Sequence, residues 1–183
     1  MLIRLIARTG FTFFAVVVLL LCVSVNMAYV LKKDGVHGSV AAFKQAWQQY
    51  RDYLTSISSK LPAAARDFAV AEWRHDPMDH RAPHDAWVES IAVIEIGTGE
   101  RHENRCVDIK LRLLGAYHDG HIELEYKNVL RYNLGSTGES HGDWLYDEVR
   151  LSPAGHALHE IEIGGTTWLI ECEDILYSWS PQA

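Results

Sequence analysis

At 183 residues the chain has length for one modest domain plus an appendage, and its 48% hydrophobic and 22% charged content excludes a disordered or fibrous protein. The net charge of −7 is unevenly spread: residues 1–33 hold four basic residues and no acid, whereas from Asp85 onward 18 acidic residues face 7 basic ones, a net of −11. A field of that sign repels phosphates, which argues against nucleic acid and favours another protein with a basic surface.

The first element is the uncharged run Phe11–Leu31, between Arg4 and Arg8 on one side and Lys32 and Lys33 on the other. About 20 apolar residues cross a bilayer, so this run predicts a single-pass membrane helix in a basic-flanked anchor, residues 1–33. A cleaved signal peptide is the competing reading. It fits less well, because the run exceeds an h-region of about 7–15 residues and no A-x-A site follows it.

Beyond a joint at Asp34–Gly38, the residues Val40, Phe43, Trp47, Tyr50, Leu54, Ile57 and Leu61 recur at spacings of three and four. They predict an amphipathic helix with a heptad seam, within a helical stalk over residues 34–74. The seam over residues 40–61 suits self-association, or packing of the helix on its own β-domain. Pro62 opens a second helix that runs to about Trp73, and Pro77 and Pro83 make residues 75–84 a linker.

From Trp87 the apolar period changes to two, as in Val107, Ile109, Leu111, Leu113 and in Ile122, Leu124, Tyr126. Runs at 87–96, 105–115, 121–127, 129–134, 144–151, 156–163 and 166–177 predict six to seven strands, and their short connections make neighbours antiparallel. The expected class is therefore α+β, with residues 85–183 forming an antiparallel sandwich or a strongly twisted sheet.

Cys22, Cys106 and Cys172 lack the spacing of a zinc or redox site; a Cys106–Cys172 bridge is open to a domain in an oxidising compartment, although strand parity, which sets the two on different faces, argues against it. "HALHE" (156–160) has the order HxxHE rather than HExxH, and an offset of three in a strand parts His156 from His159. His84-Asp85 has the lettering of HD-type phosphohydrolases but opens a strand rather than lying on a helix, so capping of backbone amides suits it better. A metal-dependent hydrolase using His84, Asp85 and His159 is the alternative to a non-catalytic reading. No GxSxG elbow, phosphate loop or cofactor motif occurs. The carboxylates of "DWLYDEV" and "ECED" offer an acid–base pair only at a separation of about 5–9 Å, which a sequence does not give.

Trp144 and Trp179 stand at segment ends beside acids, so the expected partner-binding surface is Asp143, Trp144, Asp147, Glu148 and Trp179. The succession "HDAWVESIAV", "HIELEYKNVLRYNL", "DWLYDEVRL", "HALHEIEI", "WLIECEDILYSW" resembles a loose group of small bacterial β-domains of unknown function, some of them similar to immunity proteins encoded beside polymorphic toxins. The resemblance spans about residues 84–179 and implies an antiparallel fold and protein binding. Together these readings predict a bacterial inner-membrane protein, its β-domain on the periplasmic side, serving as an immunity-like or scaffold module without cofactor.

Overall fold

A computed structural model describes residues 28–31 and 39–182. Two helices, α1 (Val40–Ile57) and α2 (Ala63–Ala69), precede six strands: β1 (Trp87–Thr98), β2 (Asn104–Leu114), β3 (Gly120–Asn133), β4 (Trp144–Leu151), β5 (Ala157–Ile163) and β6 (Thr166–Pro181). The class is α+β, with one antiparallel sheet of order β1-β2-β3-β6-β5-β4. The two runs expected at 121–127 and 129–134 are one strand. Asn128, with φ 48°, marks the irregularity between them, and the register with β6 shifts just beyond it.

The sheet curls until its outermost strands meet at one end. Trp87 bridges Asp143, the Asp85 amide donates to the Trp144 carbonyl at 2.7 Å, and the Trp144 amide donates to the Ala86 carbonyl at 3.1 Å. That curvature makes a single sheet hold a core that a sandwich would build from two.

The helices close this core. Ser39 caps α1 by accepting from the Ala42 amide, and the C-terminal half of the seam, Tyr50, Leu54 and Ile57, is buried with Leu61, Phe68 and the sheet's Ile109, Leu111, Leu124, Ile161 and Trp168. The helix thus serves as a wall of the domain, the second of its two expected roles. It also protects the open edge of β4: the Tyr50 hydroxyl accepts from the Val149 amide at 2.7 Å, and the Tyr53 hydroxyl accepts from the Leu151 amide at 3.0 Å. The segment expected as a linker is likewise built in. Ala82 and Pro83 are buried, and the Tyr177 hydroxyl donates to the Arg81 carbonyl at 2.7 Å.

Among the described residues no helix is long and apolar enough to cross a membrane. The run expected to do so lies outside them up to residue 27. Its last residues are described and pack on the sheet, Val30 with no exposed surface, so the end assigned to lipid at Leu31 belongs to the folded domain.

Candidate functional site

Strands β4 and β5 bring two polar groups into the apolar interior. Asp147 falls in phase with Val149 and Leu151, and His159 in phase with Ala157, Ile161 and Ile163, so alternation turns both inward. His159 Nε2 lies 2.6 Å from Asp147 Oδ2, and its Nδ1 lies 3.0 Å from the Tyr126 hydroxyl on β3. A carboxylate only accepts, so Nε2 carries the proton and Nδ1 accepts from Tyr126. Arg74, from the turn after α2, donates to Asp147 Oδ2 and lies over the Phe68 ring, while Trp144 Nε1 is 3.3 Å from Asp147 Oδ1.

Each of these five side chains is essentially sealed from solvent. Burial opposes ionisation of Asp147, but the adjacent Arg74 and the His159 hydrogen bond hold its carboxyl well below the usual carboxylate range. Burial also lowers His159 against the pull of Asp147, and it raises Tyr126 well above an ordinary phenol. The tyrosine therefore stays protonated and the imidazole neutral. Buried and mutually bonded, the chain Tyr126–His159–Asp147–Arg74 forms a strut that ties the turn after α2 to three strands.

Glu148 points the other way from Asp147 and is also buried. Its Oε1 accepts three consecutive backbone amides, from Tyr29 at 2.7 Å, from Val30, and from Leu31 at 3.0 Å. Tyr29 packs at a tilt against Tyr53 and Tyr50, with ring centres 4.8 and 6.0 Å apart. The sheet thus clasps the end of the apolar N-terminal run. Burial raises the Glu148 carboxyl above its ordinary value, with those amides opposing. A carboxyl raised in the folded state stabilises most below its unfolded pKa and loses that contribution as the pH rises through the folded value. Glu148→Gln keeps an oxygen for the amides but has no proton to lose, so thermal melts from about pH 5 to 8 should flatten relative to the parent. An unchanged pH profile would contradict this role.

The open feature is a groove of about 1210 Å³ between α1 and the stretch Ala69–Pro77. Val40, Phe43, Trp47, Val70 and Tyr146 give it apolar and aromatic walls, and Lys44, Arg51, Glu72 and Asp76 place both signs of charge around it. Trp47 packs against His75 with ring centres 4.3 Å apart and planes tilted by 53°, and His84 packs edge-on against Tyr146 at 5.3 Å. Burial, with Arg74 adding, lowers His75 to about 3, so it is a neutral imidazole at physiological pH. A smaller cavity of about 20 Å³, lined by Arg74, His75, His84, Trp144 and Asp147, lies where the groove meets the strut.

The expected partner surface is corrected by these positions. Trp144, Asp147 and Glu148 are interior, because the curled sheet and residues 28–31 cover both faces of β4. Asp143 is exposed, and Trp179 packs against Gly120, where a Cβ would fall 2.5 Å from its ring. His84 is half-buried, Asp85 is exposed with φ 62°, and His159 is sealed, so the alternative trio does not share a solvent-open site. Among the described residues no three His, Cys, Asp or Glu side chains form a group able to hold a metal ion. Cys106 is half-buried and Cys172 buried, both as free thiols; burial pushes Cys172 up to about 12. Reading from sequence missed Arg74 and Tyr126, and also missed that Asp147 and His159 sit in an apolar phase, the one signal that marks them as interior. No family model, curated protein or solved structure matches the chain, so its site stands on this geometry alone.

Proposed function

We propose that the chain is a membrane-tethered binding module that holds an apolar segment of another protein in the groove beside α1. The observation that carries this reading is the groove itself, whose aromatic walls are formed by Phe43, Trp47 and Tyr146. Its volume of about 1210 Å³ exceeds the roughly 300–1,000 Å³ usual for small-molecule sites and suits a side-chain-bearing segment. Tethering rests on the uncharged run that precedes the domain, and the clasp of residues 29–31 by Glu148 leaves little slack between that run and the sheet. The acidic balance of residues 85–183 favours a partner with basic residues flanking the docked segment. An immunity-like or scaffold role is the functional class that fits.

A photo-crosslinking side chain at Gln48, on the exposed lip of the groove, tests the reading in the full-length protein in its own membrane. A discrete polypeptide adduct should form there, and not from a control position at Glu173, outside the groove. Val40, 74% exposed, can become Asp without a folding cost, and Val40→Asp should remove most of the adduct. An adduct that survives Val40→Asp, or that forms equally from Glu173, would sink the proposal.

A further inference from the structure

We infer that the groove ends in a port that reads a phenolic hydroxyl, so that the segment it holds presents a tyrosine there. This rests on the reading of the groove as a binding site and adds the chemistry of the group received. The groove and the cavity of about 20 Å³ share Trp47, His75, His84 and Tyr146 in their linings, so four rings stand where the two adjoin. Phe43 completes an arc: in the order His75, Trp47, Phe43, Tyr146, His84, successive ring centres lie 4.3, 6.1, 5.8 and 5.3 Å apart. Those are spacings at which aromatic rings pack on one another, and such a wall suits a further ring.

The cavity's polar lining supplies the second half of the site. Arg74 is sealed; one terminal nitrogen donates to Asp147 and the other lies 3.4 Å from the Ala69 carbonyl, while its Nε–H has no partner among the described residues. The Tyr50 hydroxyl beside it is committed to the Val149 amide and carbonyl. His75, the next residue, likewise has a buried Nε2 without a partner. Buried polar atoms are satisfied as a rule, so two left over on side chains that line one cavity mark where an outside group bonds. About 20 Å³ is room for a single water-sized group, one oxygen atom.

Charge decides which oxygen. Arg74 and Asp147 cancel, and His75 is neutral, so a carboxylate would enter as an uncompensated buried charge and an ammonium would meet the guanidinium. A neutral oxygen remains. Arg74 Nε–H only donates, whereas Nε2 of a neutral imidazole donates or accepts according to its tautomer. A hydroxyl answers either case, accepting from Arg74 and exchanging a hydrogen bond with His75 in whichever sense Nε2 requires; a carbonyl answers only one. The body that carries the hydroxyl lies against the arc of rings, and a phenol puts a ring there with its oxygen at the far end.

The test is calorimetric titration of the full chain in lipid nanodiscs, with empty nanodiscs as the blank, using p-cresol, toluene, p-toluate and 4-methylbenzylammonium. The four share a methylated ring and differ in the group presented to the port. Wild type should bind p-cresol at least about tenfold more tightly than toluene, the worth of a hydrogen bond to a charged donor, and more tightly than either ion. His75→Phe keeps a ring against Trp47 and should leave toluene binding unchanged while shrinking the preference for p-cresol severalfold. His75→Gln, which still donates and accepts, should retain the preference, and it decides the matter if His75→Phe does not fold. No preference in wild type, a preference intact in His75→Phe or lost in His75→Gln, or tighter binding of either ion would each overturn the inference. The Gln48 adduct needs a partner protein and these titrations do not, so the two readings fail separately.

Discussion

Replacing Arg74 by methionine should destabilise the domain by about 3–5 kcal/mol, the cost of stranding a buried carboxylate. For a domain of this length that corresponds to a melting temperature roughly 10 °C lower. The volume is kept, so the loss comes from charge rather than from a cavity. Asp147 loses the cation that holds its proton affinity down, and burial then raises it. In the parent, a carboxyl depressed in the folded state contributes stability above its unfolded pKa and loses it as the pH falls through the lower folded value. The penalty of Arg74→Met should therefore be largest near neutrality and shrink toward about pH 4, where the stranded carboxyl takes up a proton. Chemical denaturation across that range measures it. A pH-independent loss would indicate that packing on Phe68, not the ion pair, is what Arg74 supplies.

Trp144→Ala carries an effect of similar size. A rim tryptophan would be lost with little change in stability, whereas Trp144 has no exposed surface and touches both His159 and Asp147. Truncating a buried tryptophan costs about 3–5 kcal/mol, so calorimetry of the variant should find a large fall in melting temperature. Little change would return Trp144 to the surface and reopen the partner site first expected around it. Trp179, half-buried against Gly120, should be the milder position of the two.

Much of the architecture is legible in the chain itself, because it follows from local periodicity. Spacings of three and four from Val40 to Leu61 specify a helix, and alternation from Trp87 onward specifies strands whose observed bounds lie close to the expected ones. Asn128 hid the unity of β3, since a residue with positive φ breaks the alternation without ending the strand. The polar residues were harder. Trp144 beside Asp143, and Asp147 beside Glu148, have the composition of a surface rim; only the phase of Asp147 with Val149 and Leu151 hints at an interior, and Trp144 is out of that phase, with a register shift between it and Tyr146.

Sequence by itself determined the uncharged N-terminal run, the acidic balance of the second half, the helix-then-strand order and the antiparallel pairing, for these depend on composition and on neighbours a few residues apart. Tertiary structure alone decided which edge of the sheet is covered, that Glu148 clasps residues 29–31, and that Arg74 meets Asp147 across 73 residues of chain. The physical reason is curvature. Strand alternation assigns a side chain to one of two faces, but whether both faces are buried depends on how the sheet curls and what packs beneath it, and no local spacing records that.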